Sequence, residues 1–114
     1  MSKKKRKKIA VDMSATLIHH GHIRLIKKAK KFGKVIVALT KDKEIIKYKG
    51  YIPELNYSQR KEIISAIRYV DKVIPSNFFL DEKFLDRHKI KLLIHGNDQN
   101  NKINKKRVVT FKRT

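Results

Sequence analysis

The run Val35-Ile36-Val37-Ala38-Leu39 contains no polar residue, and a second apolar run, Ile9-Ala10-Val11, lies upstream of it. An unbroken apolar strand has to be covered on both faces, which is the situation of a parallel sheet packed between helices. The segment between the two runs carries the helical period. Leu25, Ala29 and Phe32 fall at offsets 0, 4 and 7, with Ile26 beside them, while Lys27, Lys28, Lys30 and Lys31 lie mostly on the other side. Gly33 is placed to stop that helix. Strand, helix and strand in this order predict a right-handed crossover. In such sheets ligands bind beyond the C-terminal strand ends.

The rest of the chain repeats the pattern. Ile9 to Met13 reads as the first strand, and Ser14-Ala15-Thr16 as the turn after it. Thr40 to Ile46 predicts a short helix, and Tyr48 to Leu55, with Gly50 and Pro53, a loop. Asn56 followed by Gln59 resembles a capping box, opening a helix with an Ile63, Ile67, Val70 stripe. Val73-Ile74 reads as a strand stopped by Pro75, Phe79 to Arg87 as a weaker helix, Leu92 to His95 as a buried strand, and Val108 to Phe111 as the last strand. The expectation is a single α/β domain over residues 9–114, Rossmann-like and three-layered with a parallel sheet, preceded by a basic tail at residues 1–8.

Charge narrows the partners. Thirty Lys and Arg against ten Asp and Glu give a formal net charge of +20, and residues 3–8 are all basic. Such a surface attracts polyanions. Part of the excess fits a Lys-, Ile- and Asn-rich coding bias, though that does not explain the scarcity of acids. There is no cysteine, which excludes disulfides and thiolate metal sites. No apolar run is long enough to span a bilayer, and the basic start is not followed by an apolar signal region, so a cytoplasmic protein without membrane association is expected.

The candidate site is His19-His20-Gly21-His22, at the predicted junction of first strand and helix. His19 and His22 are three residues apart and share a helical face. Free helix N-terminal N–H groups and the positive end of the helix dipole are expected to point the same way. Gly21, having no side chain, would let a ligand approach the backbone. The combination suits a phosphate. Three histidines without cysteine or a suitably spaced acid do not make a zinc site, so no metal ligand is assigned.

Several stretches together resemble one family, the cytidylyltransferase-like nucleotidyltransferases with their HxGH signature. Residues 12–23, ending in His19-His20-Gly21-His22-Ile23, resemble its first motif. Tyr57-Ser58-Gln59-Arg60-Lys61 resembles its second helix start, and residues 67–75 its helix-to-strand stretch. His95-Gly96-Asn97-Asp98 resembles its Gly-Asp-Asp turn, and Lys112-Arg113-Thr114 the Arg-Thr before its last motif. The local wording is nearest to glycerol-3-phosphate and aminoethylphosphonate cytidylyltransferases. The resemblance implies transfer of CMP from CTP (in some members, a nucleotide from ATP) to a small phosphorylated or phosphonate acceptor, with release of pyrophosphate and use of Mg²⁺. It implies catalytic roles for His19, His22 and the loop lysine Lys49, with Lys47 as the alternate and an acceptor contact. Nucleotide binding is implied for Met13, Ser14, Ala15, His19, Gly21, His22, Asp98 and Arg113, and acceptor-phosphate binding for Arg68. His20 is the variable, structural residue of the motif. A homodimer is expected from the same source.

Three departures from the family pattern bear on turnover. Thr16 stands where the family commonly has an Asp three residues before the first His, and Asn97 replaces the first acid of the turn. The Gly-Ile-Ser-Ser/Thr-Ser/Thr motif would fall beyond Thr114, so a fragment, a truncated chain or a degenerate member is expected. Two rivals follow: a catalytically impaired nucleotide-binding domain and, less favoured, a basic nucleic-acid-binding protein. Against the latter, no RNA-recognition aromatic pattern, helix-turn-helix punctuation or zinc module is present.

Overall fold

A computed structural model describes residues 7–16, 18–95, 103 and 105–110. The elements run β1 (Lys8–Met13), α1 (His20–Lys30), β2 (Lys34–Thr40), α2 (Asp42–Lys49), α3 (Tyr57–Ser65), β3 (Lys72–Ser76), α4 (Glu82–Arg87), β4 (Ile90–His95), a 3₁₀ turn (Lys105–Arg107) and β5 (Val108–Thr110). The sheet has five strands in the order β3-β2-β1-β4-β5. Every strand pair is parallel, with Val11 opposite Val37 on one side and Ile94 on the other. The strand order reverses beside β1, so the crevice at the C-terminal ends of β1 and β4 is where an open α/β sheet places its ligand.

Alternate strand residues feed two cores, which makes the three layers. Ile9, Val11, Val35, Val37 and Leu39 pack on one face with Ile26 and Ala29 of α1 and Ile64 of α3. Ala10, Ile36, Ala38, Ile74 and Leu93 pack on the other with Leu80 and Leu85. Each fully buried aliphatic side chain contributes roughly 1.5–3 kcal/mol, so both layers hold the sheet.

The predicted elements are all present, but several boundaries differ. α2 runs on to Lys49 and ends at Gly50, whose φ of 76° is the left-handed stop that glycine adopts without a steric penalty. α3 keeps its predicted capping box, with the Asn56 side chain accepting from Gln59 N–H and the Gln59 side chain accepting from Asn56 N–H. It stops at Ser65, however, so Ile67 and Val70 pack on the core from the following turns, and the buried aliphatic residue of the helix is Ile64 rather than Ile63. β3 continues through Pro75 to Ser76 because it is an edge strand, where the missing proline N–H breaks no ladder. α4 starts later than expected, at an N-cap made by Asp81, which accepts from Phe84 N–H. Gly33 lies beyond the C-cap residue Lys31, and its glycine has another cause: a Cβ there would overlap the Lys7 carbonyl oxygen, which accepts from Lys34 N–H.

Candidate functional site

The site is built at the C-terminal end of β1. Met13 is the last strand residue, and its carbonyl accepts from the Thr40 hydroxyl at 3.2 Å, tying the ends of β1 and β2. The Ser14 carbonyl accepts from Arg60 Nη1 at 2.6 Å. Ala15 is buried with φ of 50°, a left-handed conformation that costs an alanine roughly 1 kcal/mol. The chain therefore turns sharply between strand and helix. Thr16 Oγ1 lies 3.3 Å from Tyr51 Oη, so the loop after α2 closes onto the loop before α1.

His19 caps α1 and His22 closes the box. The Gly21 N–H donates to His19 Nδ1 at 3.0 Å, and the His19 N–H donates to His22 Nδ1 at 3.1 Å. The His22 N–H donates to the His19 carbonyl at 3.0 Å. Each Nδ1 is thus an acceptor, which assigns the proton of the neutral ring to Nε2 in both histidines. The two rings lie 4.2 Å apart, centre to centre, at an interplanar angle of 43°. His20, the first helical residue, is exposed and meets His19 edge to face.

One expectation is corrected by this arrangement. The N–H groups of Gly21 and His22 are engaged within the cap, so the imidazoles replace them as the donors of the helix start. The glycine at position 21 also has a cause within the chain itself. A Cβ there would lie 2.7 Å from His19 Cε1 and 3.0 Å from its Nδ1. Glycine is required because the capping ring folds back over it.

Arg60 supports this end from below. Its side chain is fully buried, alone in that respect among the described basic residues. Nε donates to the Leu55 carbonyl at 3.1 Å, Nη1 to Ser14 O, and Nη2 to Asp42 Oδ1 at 2.6 Å. Asp42 Oδ2 also accepts from Tyr57 N–H at 3.0 Å. One guanidinium thereby joins the β1–α1 loop, the start of α2 and the start of α3. Arg60 lies within the Tyr57–Lys61 stretch that resembles the family, and the resemblance implies no role for it. With Lys61 beside it on the same short helix, nothing in the sequence sets Arg60 apart from the other basic residues. Burial pushes the Tyr57 hydroxyl above the ordinary tyrosine range, although the neighbouring Arg60 charge pulls the other way.

The remaining assigned residues fall in three places. Lys47 and Lys49 are exposed on the last turn of α2 rather than in a loop, with Lys47 Nζ 5.2 Å from the centre of the Tyr48 ring. The Thr16–Tyr51 contact brings the end of their helix to the β1–α1 loop. Arg68 is not brought to the histidines within one chain. It lies exposed beyond α3, its guanidinium 5.5 Å from the Tyr69 ring, at the end of the sheet where Asp71 bonds Val35. Asp98 and Arg113 lie outside the described residues, as does Asn97. Among the described residues no group of three His, Cys, Asp or Glu side chains could hold a metal ion.

With fold and geometry in place, the sequence defines a class. The chain belongs to the cytidylyltransferase-like family, which it matches over residues 14–113. It is 33% identical over 93 residues to glycerol-3-phosphate cytidylyltransferase of Bacillus subtilis, covering 81% of this chain and 72% of that protein. It is 33% identical over 84 residues to ethanolamine-phosphate cytidylyltransferase of Mus musculus, covering 72% of this chain but only 20% of that protein. FAD synthase of Pyrococcus horikoshii is 33% identical over 103 residues, covering 87% and 68%. The fold matches the lipopolysaccharide core biosynthesis protein of Thermoplasma volcanium with a TM-score of 0.79 at 20% identity, over 96% of this chain and 98% of that one. No helix among the described residues is long and apolar enough to cross a membrane.

Proposed function

We propose that this domain transfers CMP from CTP to the phosphate or phosphonate of a small acceptor, releasing pyrophosphate. The observation that carries the reading is the reciprocal His19–His22 cap, which fixes two neighbouring imidazoles with their Nε2 protons as donors. An acceptor oxygen attacks the α-phosphorus, the bond to the bridging oxygen breaks, and the pyrophosphate takes the electron pair. No side chain has to form a covalent bond. Catalysis then rests on positioning and on donors aimed at the charge that develops. His19 and His22 serve the triphosphate, the β1–α1 loop at Met13, Ser14 and Ala15 shapes the nucleotide side, and Lys49 or Lys47 neutralises phosphate from the rim. Asp98 and Arg113 complete the nucleotide side and Arg68 meets acceptor phosphate, roles that rest on the family resemblance alone. Mg²⁺, which the family resemblance implies, would supply further charge neutralisation on the triphosphate; among the described residues no group of three His, Cys, Asp or Glu side chains could hold it. We also propose a cytoplasmic homodimer, which sedimentation of the purified chain tests.

ATP in place of CTP is the variant reading that the similarity to an FAD synthase favours. A nucleotide-binding domain without turnover is favoured by Thr16, which offers a hydroxyl where the family commonly has a carboxylate. The experiment is pyrophosphate release from CTP and from ATP with a panel of phosphorylated and phosphonate acceptors, on this chain and on Thr16→Asp. Release with CTP supports transfer. Release only from Thr16→Asp assigns the chain to the impaired class. No release from either, with CTP still bound, refutes the transferase reading.

A further inference from the structure

The opposite end of the sheet holds a second collection of basic groups. At the N-terminal ends of the strands lies a cavity of about 260 Å³, walled by Lys8, Lys72, Arg87, His88 and Lys89, with Ile36 and Ile74 as its apolar part. Lys8 and Lys72 open β1 and β3, and Arg87 to Lys89 leave α4 for β4. The nearby carboxylates are turned elsewhere. Glu82 and Asp86, on the same helix as Arg87, are taken by Arg107 at 2.6 and 3.0 Å. Asp71, next to Lys72 in sequence, bonds Lys30 at 2.7 Å and the Val35 N–H at 2.8 Å. No ion pair among the described residues includes Lys8, Lys72, Arg87 or Lys89. Burial and, after it, the charges of Arg87, Lys72 and Lys8 hold His88 below the ordinary imidazole range, so these cations do crowd one another. Lys89 has φ of 57°, a left-handed position where glycine or asparagine is sterically easier.

Like charges gathered around a cavity without a counter-ion repel, and a bound multivalent anion removes that repulsion. The carbonyls of Phe84 and Asp86 at this end of α4 are already bonded by the N–H groups of His88 and Lys89. We propose that this cavity is an anion site for phosphate groups, separate from the nucleotide site at the other end of the sheet. Its ligand is a compact, multiply charged phosphate, either free as an oligophosphate or carried on a nucleic-acid backbone. The second source has a natural continuation, because Lys8 is the last of the six consecutive basic residues 3–8.

The test follows backbone amides and the His88 ring by NMR on the full chain while inorganic pyrophosphate or a short single-stranded oligonucleotide is added. Saturable shifts at Lys8, Lys72 and residues 87–89 are expected, and they persist in His22→Ala, which separates this site from the nucleotide site. Lys72→Gln combined with Arg87→Gln weakens pyrophosphate at this cavity by roughly tenfold or more, since two charge-assisted contacts are lost. Both residues are exposed, and thermal melting checks that the variant folds. The same variant moves the His88 titration upward without any ligand. Tighter binding of the oligonucleotide, with shifts extending through residues 3–7, assigns the source to nucleic acid. Equal or weaker binding than pyrophosphate assigns it to a free phosphate. Shifts confined to residues 14–22, or shifts spread over all lysines without saturation, overturn the proposal.

Discussion

Arg60→Met keeps most of the buried volume and removes three hydrogen bonds together with the charge. Two carbonyls, Ser14 and Leu55, lose a donor, and Asp42 loses its ion-pair partner. Breaking a fully buried pair costs about 3–5 kcal/mol. Asp42 keeps 38% side-chain exposure and its bond from Tyr57 N–H, so water offsets part of that penalty. The two carbonyls add about 1 kcal/mol each. The expected loss is therefore about 2–4 kcal/mol, a large share of the roughly 5–15 kcal/mol available to a domain. Urea unfolding followed by circular dichroism measures it. Arg60→Lys is expected to fall between wild type and Arg60→Met, because one ammonium cannot reach three separated acceptors. Adding Asp42→Asn to Arg60→Met costs little further, since the uncompensated carboxylate is then gone. A loss below about 1 kcal/mol for Arg60→Met would refute the idea that this guanidinium holds the strand end, the start of α2 and the start of α3 together.

Gly21→Ala tests whether the glycine serves the cap. Better helix propensity contributes up to about 1 kcal/mol while loss of the His19 cap costs about the same, so thermal stability hardly moves but CTP affinity falls; unchanged affinity contradicts the assignment. Asp71→Asn is expected to cost about 1 kcal/mol near neutral pH. Burial raises that carboxyl, but the bonds from Lys30 and Val35 and the charges of Lys30 and Lys34 outweigh it and leave it below the usual range. Its contribution is therefore present above the unfolded value of 3.8 and is lost as pH falls through the folded one, so the two proteins converge in acid melts. Tyr57→Phe removes a buried hydroxyl without a hydrogen bond and is expected to be neutral or stabilising by up to about 1 kcal/mol. Because the Tyr57 value is raised, wild type loses stability as pH rises past 10.0 and the variant does not, which alkaline denaturation curves compare.

The strands were legible because the unbroken Val35–Leu39 run permits few burial environments, and the C-terminal strand ends were the expected ligand side, but the order that puts the crevice beside β1 belongs to the folded sheet. Helix ends were less so. Ile63, Ile67 and Val70 have helical spacing, yet α3 stops at Ser65 and the later two residues reach the core from turns. Edge position, which excuses Pro75 inside β3, is a property of the whole sheet and cannot be read locally. At the site the histidines stood out as a pattern of residue types. Their reciprocal cap did not, since an imidazole at an N-cap is not the usual Ser, Thr, Asp or Asn. Arg60 was hidden among thirty basic residues, because burial of a charge depends on acceptors from three separate segments.

Calorimetric titration with Mg·CTP at moderate salt, on wild type, His19→Ala and His22→Ala, tests the central claim most directly. The account predicts saturable one-site binding to wild type and a roughly tenfold or greater loss in each variant, as expected when a charge-assisted donor is removed. Equal affinity in all three, or no binding to wild type, would contradict a phosphate site built on the paired histidines.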